Sequence, residues 1–122
     1  HFLKDYPPYC GIFSADKHLM EVAAKTCDQL NMQYHFGSIV SGEAFISDNA
    51  VKQEIQERLH PMAVDMESAA VGHCCYLNEM PFVSIRCISD NADDEGAMSF
   101  DQFEKIAAKR VADLVLAIAA VL

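Results

Sequence analysis

The chain has 122 residues, 52% of them apolar, with 9 basic against 18 acidic side chains and a net charge of −9. That length suits one domain, or part of one, with a modest core. The acidic balance argues against nucleic acid and anionic membrane as partners, since both are held by clusters of Lys and Arg.

No run of roughly 18 apolar residues is present, and Leu114–Leu122 is too short to span a bilayer. The opening His1-Phe2-Leu3-Lys4-Asp5-Tyr6-Pro7-Pro8 lacks an initiator Met and the charged-then-apolar order of a signal peptide. A fragment or a processed product is therefore expected. The five cysteines, Cys10, Cys27, Cys74, Cys75 and Cys87, form an odd, scattered set without a CxxC pair. They predict reduced thiols and a cytoplasmic location rather than a disulfide framework. A zinc reading of His73-Cys74-Cys75 is weak, because adjacent helical residues diverge and no second ligand pair follows.

In chain order, Ser14 is placed to cap a helix through about Leu30, with Leu19, Val22, Ala23 and Cys27 on one face. Tyr34 to Ser41 reads as a strand ending at Gly42, and Asp48 caps a short polar helix closed by His60-Pro61. Met62 to Asp65 is a second short strand. Glu67 to Asn78 is a helix rich in small residues. Pro81 to Ser89 is almost continuously apolar and predicts a parallel strand covered on both faces. Ser99-Phe100-Asp101-Gln102 fits a capping box that opens a long helix to the C-terminus.

This alternation predicts an α/β layered domain, its mostly parallel or mixed sheet flanked by helices. Three strands would leave an unprotected edge and little core, so the reading is the C-terminal part of a larger sheet. Ligands of such sheets lie beyond the carboxyl ends of the strands. The candidate ends are Ser41-Gly42-Glu43-Ala44-Phe45-Ile46, Asp65-Met66-Glu67 and Ser89-Asp90-Asn91-Ala92-Asp93-Asp94. Acids and an aromatic suit hydroxyls and a flat heterocycle; no Gly-rich loop or basic cluster suits a phosphate. Arg86 interrupts the apolar run, and a buried guanidinium there would need Asp65, Glu67 or Glu43 as partner.

The segments SGEAFI, VDMESAAVGH, PFVSIRCISDNAD and MSFDQF resemble the C-terminal half of the 5′-methylthioadenosine/S-adenosylhomocysteine nucleosidases, of the nucleoside phosphorylase superfamily. The resemblance covers nearly all of the chain and is strongest from Gly37 to Phe103. It departs at Asp65-Met66-Glu67, where the family motif usually reads Glu-Met-Glu.

The resemblance implies that Phe45 stacks on adenine and that the Ile46 backbone bonds the purine edge. Met66 would pack beneath the ribose, and Glu67 would accept hydrogen bonds from its 2′- and 3′-hydroxyls. Asp90, held by Ser89, would protonate purine N7, and Phe100 would wall the alkylthio pocket. It further implies a homodimer, with Tyr6-Pro7-Pro8 against the neighbouring subunit, and no cofactor or metal. Spacing alone leaves plainer roles open. Phe45 also fits a core plug, Met66 core filling, Glu67 and Asp90 helix-end or turn residues, and Phe100 packing.

The implied reaction is hydrolysis of an N-glycosidic bond with release of adenine. Asp90 serves it only if burial or neighbouring carboxylates keep it protonated near neutral pH. The base that activates water is, in the resembling family, a Glu of the N-terminal half, so the isolated chain is expected to be inactive. The alternatives are a purine nucleoside phosphorylase and a non-catalytic nucleoside-binding module.

Overall fold

The computed structural model describes residues 12–42, 49–88 and 100–122. These fall into two compact units, one of residues 12–16, 35–42 and 49–82, the other of residues 17–34, 83–88 and 100–122.

The first unit is a β-α-β-α run. Strand β1 (Ile39–Ser41) leads through helix α2 (Asn49–Leu59) to strand β2 (Ala63–Asp65), which is followed by helix α3 (Ser68–Leu77). The strands pair in parallel, with Ile39, Val40 and Ser41 opposite Ala63, Val64 and Asp65. Parallel pairing requires a crossover, which α2 supplies. Helix α3 packs on β1.

The strand expected from Tyr34 narrows to three residues. Before them the Ser38 carbonyl takes the amides of both Met62 and Ala63, at 2.9 and 3.4 Å, outside a regular ladder. The chains approach so closely there that a Cβ on Gly37 would lie 2.7 Å from Met62 Cβ. Helix α2 stops where the sequence says it should: His60 turns to φ 45° and Pro61 follows. Asp48, the expected cap of α2, lies outside the described residues.

Helix α3 carries the aromatic packing of this unit. The Phe13 ring stacks on His73 at 5.1 Å between centroids and tilts against Tyr76 at 6.0 Å. Gly72 makes room for it, since a Cβ there would meet Phe82 at 3.0 Å and Phe13 at 3.1 Å. His73 is thus a packed residue. Among the described residues no group of three or more His, Cys, Asp or Glu side chains is placed to hold a metal.

The second unit is built on helices α1 (Lys17–Gln29) and α4 (Phe100–Val121). Its core is Cys27, Leu114 and Ile118, with Val22, Ala23, Met32 and Ile85 packed against them. The face expected of α1 is therefore the one it buries, with Leu19 half-buried at its start. Thr26, also buried, donates its hydroxyl to the Val22 carbonyl at 2.8 Å, which spares the core an unmet donor. Burial pushes the Cys27 thiol above its ordinary range, and the neighbouring Asp28 charge adds to this.

Helix α1 begins at Lys17 rather than near Ser14, because the Asp16 amide is taken by the Phe82 carbonyl at 2.8 Å. Helices α1 and α3 end alike. Asn31 and Glu79 take φ 58° and 52°, and the amides of Met32 and Met80 reach back to Cys27 and Cys75, both at 2.8 Å. These are Schellman stops without glycine.

One expected element is corrected. Residues 81–88 form no strand among the described residues, where the sheet is β1 and β2 alone. Strand character rests on a ladder partner, and apolar composition does not provide one. Arg86 is likewise exposed rather than buried, because the segment holding it is not covered on both faces. Among the described residues no helix is long and apolar enough to cross a membrane.

Candidate active site

The register of the two strands decides what stands at their carboxyl ends. Ser41 and Asp65 are direct partners, so both side chains arrive at the same end of the sheet. The Ser41 hydroxyl donates to Asp65 Oδ1 at 2.5 Å, and the Gly42 amide donates to the Asp65 carbonyl at 3.0 Å. The Ala69 amide, in the first turn of α3, donates to Ser41 Oγ at 2.8 Å. Asp65 Oδ1 accepts the Ser68 amide at 3.3 Å, and Asp65 Oδ2 accepts the Ser68 hydroxyl. One carboxylate thus ties two strand ends to the start of a helix. The N–H groups of that first turn have no partner within the helix, which is why a carboxylate is stable there.

Met66 and Glu67 are the two residues inside this clasp. Both are exposed, Met66 at 54%. Glu67 occupies the N-cap position of α3 with φ −130° and ψ −22°, and its carbonyl accepts the Val71 amide at 3.2 Å. Its side chain makes no capping bond. Glu67 Oε2 instead accepts the amide of Met66 at 3.1 Å. The plainer role that spacing left open for Glu67, holding the helix end, is filled by Asp65.

Of the candidate residues, Met66 and Glu67 stand together on the α3 entry. Phe45, Ile46, Ser89 and Asp90 lie outside the described residues, as do Asp93, Asp94 and Tyr6-Pro7-Pro8. Phe100 opens α4, as the capping box predicts, but its side chain also lies outside the described residues, and so does Ser99. Sequence reasoning missed the partners of Asp65. The signal was available for one of them: an Asp three residues before a Ser at a helix start is capping spacing. The pairing with Ser41 needed the register.

Two acids, Asp65 and Glu67, stand at and just after the carboxyl end of β2, one engaged in structure and one exposed, at the end of an α/β sheet where ligands of that class lie. Residues 2–120 match the profile of the Phosphorylase superfamily, and the chain belongs to that family. It is 37% identical over 117 residues to a 5′-methylthioadenosine/S-adenosylhomocysteine nucleosidase of Actinobacillus succinogenes, a match covering 94% of this chain and 51% of that protein. The crystal structure of the Campylobacter jejuni nucleosidase of the same name superposes with a TM-score of 0.85 at 31% identity, covering 96% of this chain and 52% of that one. The futalosine hydrolase of Helicobacter pylori gives a TM-score of 0.83 at 24% identity, over 96% and 49%, and shares the fold. The α/β class expected from the alternation of elements is the class of these neighbours. The chain spans about half the length of the relatives it matches.

Proposed function

We propose that residues 1–122 are the C-terminal part of a single nucleosidase domain, carrying its purine- and ribose-binding residues. The whole protein would hydrolyse the N-glycosidic bond of 5′-methylthioadenosine and S-adenosylhomocysteine and release adenine. The observation that carries this reading is the 37% identity to a nucleosidase of that name over 94% of the chain. The exposed Glu67 carboxylate, not consumed by capping, supports it locally.

In this mechanism the bond between C1′ and purine N9 breaks with its electron pair going to the base. Positive charge grows on the ribosyl carbon and negative charge on adenine. Glu67 accepts hydrogen bonds from the 2′- and 3′-hydroxyls and faces the developing cation, with Met66 beneath the sugar. Asp90, positioned by Ser89, gives its proton to N7, so that adenine leaves neutral. Water adds to C1′ and loses a proton to a base of the N-terminal half. Phe45 and the Ile46 backbone hold the purine, and Phe100 walls the 5′-alkylthio group. No cofactor or metal takes part. The protein acts as a cytoplasmic homodimer on a small nucleoside rather than on nucleic acid or membrane.

Adenine release by the full-length protein, assayed with and without phosphate, tests the reading. Release independent of phosphate is expected. Strict dependence on phosphate would select a phosphorylase, and no release would leave a binding module.

A further inference from the structure

We infer that Asp65 is a positioning residue that sets the direction of Glu67 by locking the start of α3 to the end of β1. The inference rests on the reading of Glu67 as the ribose acid and adds to it the device that aims it.

Three observations carry it. Asp65 and Ser68 bracket Met66 and Glu67, and the Asp65 carboxylate closes that bracket by accepting both the amide and the hydroxyl of Ser68. The bracket is fixed to the neighbouring strand, since the Ser41 hydroxyl donates to Asp65 Oδ1 and its oxygen accepts the Ala69 amide. The Glu67 side chain makes no capping bond, so the side-chain bonds that close the helix entry come from Asp65. With the Asp65 carboxylate removed, the two Ser68 bonds that close the turn around Met66 and Glu67 and the Ser41 bond that ties it to β1 are lost.

An amide in place of the carboxylate cannot reproduce the clasp. Asp65→Asn offers one accepting group where Ser41 and Ser68 present three donors; with its oxygen kept on Ser41 and the Ser68 amide, its NH2 group faces the Ser68 hydroxyl that donates to Oδ2.

The test compares binding of adenine, which has no ribose, with binding of the 7-deaza analogue of 5′-methylthioadenosine, which cannot be protonated at that position. The full-length protein is measured with its Asp65→Asn, Ser68→Ala and Glu67→Gln variants. Glu67→Gln and Asp65→Asn are each expected to weaken the nucleoside about tenfold, as loss of a charge-assisted bond does, and to leave adenine unchanged. Ser68→Ala should shift selectivity in the same direction by less. The double variant Asp65→Asn/Glu67→Gln should bind the nucleoside no worse than Glu67→Gln alone, because one residue acts through the other.

Equal weakening of adenine and nucleoside by Asp65→Asn, or a double variant whose losses add in full, would overturn the inference. If Asp65→Asn does not fold, Ser68→Ala decides: a lowered Tm with unchanged selectivity makes the clasp a structural cap only. A Glu67→Gln variant that still binds the nucleoside fully would instead remove the ribose reading, and this inference with it.

Discussion

At the end of β2 the protein packs polar groups, whereas between α1 and α4 it packs apolar ones. Asp65, Ser41 and Ser68 join backbone and side chains through directional bonds in a half-buried place. Cys27, Leu114 and Ile118 meet in a core with Val22, Ala23, Met32 and Ile85 packed against it. The first arrangement is directional and contributes little net stability, since each bond replaces one to water. The second contributes stability in proportion to the area buried and aims nothing at a ligand. Changes in the two regions should therefore be read by different instruments: kinetics and binding for one, unfolding for the other.

The largest effect is expected at the proposed acid. Asp90→Asn in the full-length protein keeps the shape but has no proton to give, and kcat should fall by about 10²–10⁴-fold while adenine still binds. Retained turnover per folded molecule, with stability lost, would make Asp90 a turn residue. On the apolar side, Leu114→Ala should cost roughly 2–4 kcal/mol in urea unfolding and leave KM unchanged. A changed KM with unchanged stability would break the division between the regions. Glu67→Gln should lower kcat/KM by at least about tenfold and leave the unfolding midpoint within error, because Asp65 and not Glu67 caps α3. A lowered midpoint with full kcat/KM would return Glu67 to a helix-end role.

The smallest effect is at Cys27. Its thiol is held above the ordinary range by burial, so the unfolded chain ionises first as pH rises. Stability is then fully present below the ordinary thiol pKa and declines above it. Unfolding midpoints measured up the alkaline range should show this decline, and Cys27→Ala should flatten it. The same burial should make Cys27 slower toward thiol reagents than the exposed Cys74 and Cys87.

Helices were the most legible part of the fold. The apolar face of α1 predicts the residues it buries, and His60-Pro61 marks the end of α2, because those signals are local. Asn31 and Glu79 as left-handed stops were hidden, since both helices end without the glycine that usually marks such a cap. Strands were less legible. Tyr34–Ser41 and Pro81–Ser89 have strand composition, but a ladder depends on what lies alongside, which no local pattern encodes. The site divides in the same way. Glu67 could be placed at the helix entry from the residue pattern, and its ribose role came only from the resemblance. The bond from Ser41 to Asp65, 24 residues apart, needed the parallel register.

The central claim is that Glu67 holds a ribose at the carboxyl end of β2, and a structure of the full-length protein with the 7-deaza analogue bound tests it most directly. The account predicts a Glu67 carboxylate oxygen within hydrogen-bond distance of the 2′- or 3′-hydroxyl, Met66 against the sugar, Asp90 facing position 7 of the base, and Asp65 still on Ser41 and Ser68. A nucleoside bound elsewhere, or one whose hydroxyls are met by other groups while Glu67 stays on the Met66 amide, would contradict it.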